Sequence, residues 1–173
     1  MRKLVMYRNY AMEDKINKFL LKKIPSFKDK SWEDKKVIYE NLVRACRNCP
    51  LWYDTGYNAI PNVLNKDSFA LFIGRNPCKA EAMVNEILSS ESKQGLLFKK
   101  YLSLLGLSES EISILNMACC HGKRNRPPTQ SEINTCVGFR DIEMSLIGDK
   151  YRIIFAMGND ALRWIFGLNA PGV

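Results

Sequence analysis

Phe69-Ala70-Leu71-Phe72-Ile73-Gly74 decides the fold. An unbroken apolar run this short, closed by glycine, reads as a β-strand covered on both faces rather than one with a wet side. Two later stretches read as further strands: Ile112-Ser113-Ile114-Leu115-Asn116-Met117, which runs into the pair Cys119-Cys120, and Tyr151-Arg152-Ile153-Ile154-Phe155-Ala156-Met157, again closed by Gly158. Segments with helical spacing separate them. Strands alternating with helices predict an α/β fold, a three-layer αβα arrangement around a short parallel sheet. Ligands of such sheets collect beyond the carboxyl ends of the strands, which places 74–78, 116–126 and 158–159 around one crevice.

Outward from the strands, 79–88 reads as a helix with Ala82, Met83, Ile87 and Leu88 on its apolar side. A second helix spans 96–105 and stops at Gly106, the residue type that tolerates the left-handed conformation at a helix end. Thr129 with Glu132 three residues on has capping-box spacing, so one helix is predicted over 130–147, and a last one over 160–166. Before the first strand the chain is rich in lysine. Ile16, Phe19, Leu20 and Ile24, then Val37, Ile38, Leu42 and Val43, fit two helical faces, with Ser31 and Asp34 placed to start the second. The expected organisation is a basic helical N-terminal extension, 1–44, and an α/β domain, 45–173.

The 173 residues carry a formal charge of +8, which suits a polyanionic partner because lysine and arginine gain from phosphate contact and counterion release. No apolar run is long enough to span a bilayer and 1–10 lacks a secretory pattern, so no membrane association and a cytoplasmic location are expected. In a reducing compartment six cysteines point to metal or redox chemistry rather than disulfides. Cys46-Arg47-Asn48-Cys49 has the spacing by which one turn presents two sulfurs to one centre. Cys120 follows the second strand and Cys136 lies in the next helix, which can return toward that strand end. Buried free thiols, a structural zinc and an iron–sulfur cluster all remain open on spacing alone, and Cys119 competes with Cys120 as a ligand.

Over about 44–167 the order of motifs resembles the iron–sulfur, family 4-type uracil-DNA glycosylases. Cys46-x-x-Cys49-x-Leu51-Trp52 is similar to that family's opening cysteine pair, and Leu71-Phe72-Ile73-Gly74-x-x-Pro77 to its strand and catalytic loop. Asn116 through Cys120, Asn125-Arg126-x-Pro128, Glu132 and Cys136 follow its intervals, as does Ala156-Met157-Gly158-x-x-Ala161-Leu162. The resemblance implies a uracil-DNA glycosylase-like fold, a [4Fe-4S] cluster on Cys46, Cys49, Cys120 and Cys136, with zinc as the alternative, and DNA as partner. It implies that Asn116 reads the edge of an extruded uracil.

The chain also departs from the family. Arg75 stands where an acidic residue usually follows the glycine, and a guanidinium is no general base. Asn76-Pro77 instead resembles the Asn-Pro loop of relatives in which asparagine positions water, which makes Asn76 the catalytic candidate. No aromatic residue stands at 89–93 to stack on the base, and the family's His-containing C-terminal motif is missing; the only histidine is His121. Expected, therefore, is a divergent DNA-binding iron–sulfur domain of DNA repair or replication with weak or no uracil excision by itself. The alternatives are a hydrolase completed by a segment on another polypeptide, a docking subunit of a replication or repair complex, and a zinc-stabilised nucleic-acid-binding module. Arg75, Lys123, Arg124 and Arg126 are the expected DNA contacts, the last three because they crowd the loop beyond the second strand. Trp52, Tyr53 and Tyr57 are read as shielding the metal centre.

Overall fold

The structure, a computed structural model, describes residues 27–166. Three parallel strands, β1 (Ala70–Gly74), β2 (Ile112–Asn116) and β3 (Ile153–Ala156), stand in the order β2-β1-β3. Ala70 pairs with both Ile112 and Ile153, and Gly74 with Asn116, so the glycine that closes β1 lies level with the end of β2. Both β1 and β2 are buried along their whole length, as their continuous apolar runs require, whereas β3 is half-exposed at the sheet edge. The outer edge of β2 is covered by a single antiparallel bridge between Val63 and Ile114.

The strand pleat divides the core in two. Leu71, Ile73 and Leu115 pack on one side with Tyr39 and Val43 of α1 (Trp32–Arg44), Leu51 of α2 (Pro50–Thr55), and residues of the helices that follow β2. Ala70, Phe72, Ile112 and Ile114 face Ile87, Phe98 and Leu102 on the other. The expected three layers are thus present. Ser31 caps α1 by accepting from Asp34 N at 3.0 Å, as its position suggested. With Tyr39 and Val43 fully buried, α1 is built into the core of the α/β unit. The apolar positions 16–24 lie outside the described residues.

Two helices are shorter than their spacing predicts. α3 (Lys79–Val84) ends at Asn85, which turns left-handed at φ 57°, and the chain folds back instead of continuing to 88. Glu81, buried at the turn, gathers this loop by accepting from Cys78 N, Leu88 N and Ser92 Oγ. α4 (Lys93–Leu105) starts on Ser92 and ends at Gly106, φ 66°. The predicted 130–147 helix is two: α5 (Gln130–Val137), capped by Thr129 and Glu132, and α6 (Arg140–Ile147). Gly138, a poor helix former, lets the axis turn so that Phe139 enters the core and Arg140 points under the end of β2. α7 (Asn159–Phe166) follows β3.

Candidate functional site

The strand order reverses between β1 and β3, and beyond their carboxyl ends opens a cavity of about 610 Å³. Gly74, Arg75 and Asn76 form one wall, Asn116 the end, and Met157, Gly158 and Asp160 another. Leu97, Phe98 and Tyr101 of α4 supply an apolar side. The loop at 89–93 contains no aromatic, as read from the sequence. It is instead drawn tightly onto the start of α4, where a Cβ on Gly95 would stand 2.0 Å from the Ser89 carbonyl oxygen. The aromatic rings of the cavity come from within α4, for which sequence reasoning supplied only a helical span and a stop.

Asn116 is only 5 % exposed. Its backbone N–H donates to Asn62 Oδ1 at 2.8 Å and its carbonyl accepts from Arg140 at 2.6 Å, while its carboxamide has no hydrogen-bond partner among the described residues. A Cβ on Gly74 would approach Asn116 Oδ1 to 2.6 Å, so the glycine is what leaves room for the amide. A buried amide with unspent donor and acceptor is poised for a planar polar ligand, since leaving such groups dry is costly.

Asn76 is tied into the same wall. Its Nδ2 donates to the Cys120 and Pro77 carbonyls, both at 3.3 Å, and its Oδ1 accepts from Arg75 Nε at 3.2 Å. Arg75 also reaches Asp160 at 3.3 Å, with both side chains roughly half-exposed. Sequence reasoning read Asp160 only as a helix start, yet it lines the cavity beside Asn76.

The cysteines divide into an inner and an outer set. Cys120, pushed up by burial, also feels Cys136, Cys49 and Cys46, and Cys49 feels Cys136 and Cys46. Burial likewise raises Cys46 and Cys49, offset in part by backbone N–H groups of Asn48 and Leu51 that hydrogen-bond their sulfurs. Cys119 instead hydrogen-bonds Cys136 through both its thiol and its backbone N–H, which lowers Cys136 and raises Cys119. Among the described residues no three Cys, His, Asp or Glu side chains stand in ready ligating geometry. The donor chemistry nevertheless suits a thiolate-ligated group: four sulfurs act on one another, and three of them accept main-chain N–H bonds that favour sulfur anions. Cys78 stands apart as the N-cap of α3.

Around these sulfurs, the Arg47 guanidinium lies over the Trp52 ring at 4.4 Å and Tyr53 packs edge-on against Trp52 at 4.9 Å. Tyr57 meets His121 at 6.0 Å. His121 is buried and its Nδ1 has no partner among the described residues; burial pushes its pKa down.

The basic loop does two different jobs. Lys123 and Arg124 are exposed and make no ion pair among the described residues. Arg126, read from the sequence as a phosphate contact, grips Glu132 with two bonds of 2.7 and 2.8 Å and Asp54 with one of 3.0 Å. That pairing holds the Glu132 carboxyl at about 2, below the ordinary 4.5. A lowered carboxyl contributes stability that is complete above the ordinary value and is lost as pH falls through the folded one. Urea titrations of the wild type should thus lose stability between pH 4.5 and about 2, and Arg126→Gln should flatten that decline. At pH 7 the variant should be weaker by about 2 kcal/mol, and equal slopes in the two proteins would refute the assignment.

An open parallel sheet with a polar-ended, aromatic-walled crevice at its switch point defines an α/β protein of the class whose ligands gather beyond the carboxyl ends of the strands. The model of the Uracil DNA glycosylase superfamily matches residues 61–172, and the chain belongs to that superfamily. It is similar to the type-4 uracil-DNA glycosylase of Archaeoglobus fulgidus, 28% identical over 126 residues that cover 73% of this chain and 61% of the relative. The enzymes of that name from Sulfurisphaera tokodaii (27%; 72% of this chain, 54% of the relative) and Pyrobaculum aerophilum (26%; 68% and 57%) are similar too. The chain therefore spans between 54% and 61% of the length of these relatives.

Proposed function

We propose that this chain is a DNA-binding iron–sulfur domain that reads uracil, serves DNA repair or replication, and excises the base weakly or not at all on its own. The observation that carries the reading is the unpartnered carboxamide of Asn116 inside the cavity. Uracil's polar edge presents a carbonyl acceptor beside an N–H donor, which one amide satisfies with its N–H and its oxygen; cytosine presents the opposite pattern at the exocyclic position. An extruded base would enter between Asn116 and the apolar side of α4, the usual route by which enzymes reach a base. Asn76 Oδ1 is available to orient water. Arg75, not a carboxylate, follows Gly74, so proton abstraction from that water is poorly served.

Cys46, Cys49, Cys120 and Cys136 would hold the [4Fe-4S] cluster. When bound it supplies iron–thiolate links that cross-brace the start of α2, the end of β2 and α5. Anaerobic protein should contain iron and sulfide in equal amounts with visible absorbance. Cys120→Ser should lose both, while Cys119→Ser keeps them; zinc without sulfide would instead favour a zinc-stabilised module. Excision of uracil from single- and double-stranded DNA in the same preparation tests activity, and brisk turnover would overturn the weak-activity reading. It would not need the further segment, or a partner protein supplying one, that an enzyme completed in trans requires.

DNA contact is assigned to Lys123 and Arg124, with Arg75 able to exchange Asp160 for phosphate because a surface ion pair contributes little. Lys123→Glu with Arg124→Glu should weaken binding and lower the salt slope of log K by about 0.7 per contact on single strands. An unaltered slope would remove this loop from the interface. No described helix is long and apolar enough to cross a membrane.

A further inference from the structure

Behind the base-reading asparagine lies a buried polar network that the family comparison does not assign. Glu143 is fully buried, and it accepts from Tyr39 Oη at 2.7 Å, from Asn62 Nδ2 at 2.9 Å and from Arg140. Tyr39 Oη in turn accepts from Asn62 N at 3.0 Å. Burial and the Glu143 carboxylate push the Tyr39 phenol well above its usual range, so it stays the donor to Glu143. The network ends on the main chain around one residue: Asn62 Oδ1 takes the Asn116 N–H, and Arg140 donates to the Asn116 carbonyl at 2.6 Å and to that of Met117 at 3.3 Å.

We propose that Asn62 and Arg140, oriented by Glu143 and Tyr39, are positioning residues that fix the main chain of Asn116 and so aim its carboxamide into the cavity. The inference rests on the base-reading role given to Asn116 but concerns a separable property, the orientation of its amide. The physical reason is geometric. On the β1 side main-chain bonds continue past Asn116, from Met117 N to the Gly74 carbonyl at 2.9 Å and from Ala118 N to that of Arg75 at 3.0 Å. The N–H and the carbonyl of Asn116 itself are gripped instead by side chains from before β1 and from α6. A reading group needs its supports held within about half an ångström, and a hydrogen-bonded outer layer provides that.

The test separates orientation from both stability and recognition. The side-chain ¹⁵N–¹H₂ signals of Asn116, assigned by their loss in Asn116→Asp, are recorded in the wild type, Asn62→Ala, Asn62→Asp and Tyr39→Phe. Asn62→Ala should shift and broaden them. Asn62→Asp keeps the oxygen that accepts from Asn116 N–H but sets a second carboxylate against Glu143; it should lower the melting temperature yet leave the signals near their wild-type positions. Should Asn62→Ala not fold, Tyr39→Phe, which frees the Asn62 peptide, should move the signals the same way by less. Affinities for oligonucleotides carrying 2′-fluoro-deoxyuridine or 2′-fluoro-deoxycytidine, measured on the same proteins, should show the preference for uracil over cytosine falling about tenfold in Asn62→Ala with cytosine DNA bound as before.

Unchanged signals in folded Asn62→Ala, or in Tyr39→Phe where the first is unfolded, overturn the inference. Signals lost equally in Asn62→Asp and Asn62→Ala also overturn it, because the effect then tracks destabilisation. Shifted signals in a protein whose wild type shows no uracil preference uphold the positioning role and overturn base reading alone.

Discussion

Replacing Arg140 by leucine is expected to destabilise the protein by about 3 to 5 kcal/mol, the largest effect of any single substitution considered for the fold. Glu143 has no access to solvent, so removing its cation leaves a buried carboxylate with only Tyr39 and Asn62 to solvate it. The same change drops the bonds to the Asn116 and Met117 carbonyls and the packing of the guanidinium over Trp164 at 5.7 Å. Small domains have about 5 to 15 kcal/mol in hand, so the variant should be close to unfolding at 37 °C. Glu143→Gln keeps both neutral hydrogen bonds and should lose less. Urea midpoints measure this, and a loss under about 1 kcal/mol in Arg140→Leu would show that the pair is not buried as described.

Gly74→Ala is expected to have the opposite profile, with the fold kept and recognition lost. The new methyl group would stand 2.6 Å from Asn116 Oδ1 and 3.2 Å from Met157 Cε, both at the ends of side chains that can swing away. Stability should change by less than about 1 kcal/mol, because no backbone has to move. The amide, however, can no longer occupy its place at the end of the cavity. Preference for uracil over cytosine in DNA should fall by about a hundredfold, the loss of a paired hydrogen-bond contact of roughly 3 kcal/mol. Retained preference in a folded Gly74→Ala would mean that the carboxamide reads nothing from this position.

Local rules carried the reading of the strands and caps. The apolar runs at 69–74 and 112–117, the Ser31 start, the Thr129–Glu132 box and the Gly106 stop all depend on residues within a few positions of one another, and all are present. What failed to show in the sequence depends on distance. Arg140 and Glu143 sit among the charges of an amphipathic helix and look like its wet face, but the bend at Gly138 turns them inward. Asn62 meets Asn116 across 54 residues, with no pattern near either to announce it. Arg126 looked like a phosphate contact because its neighbours are cations; its partners, Asp54 and Glu132, come from two helices brought together only by folding.

The resemblance to a known family placed Cys120 ahead of Cys119, which spacing alone left open. In the structure these neighbours differ in surroundings: Cys120 feels the charges of Cys136, Cys49 and Cys46, while Cys119 hydrogen-bonds Cys136. The aromatic side of the cavity was hidden for a different reason. Phe98 and Tyr101 stand at helical spacing, where rings usually signal core, and Phe98 is indeed packed edge-on against Phe72 at 5.0 Å while its other side forms the cavity wall.

Arg126 joins Asp54, five residues after the first cysteine pair, to Glu132, four before Cys136. A clasp of this kind is made of the chain's own charges and closes without any inorganic component. It ties the helix that follows the first cysteine pair to the helix that carries Cys136, so these two segments stay in register through a bond between charged side chains alone.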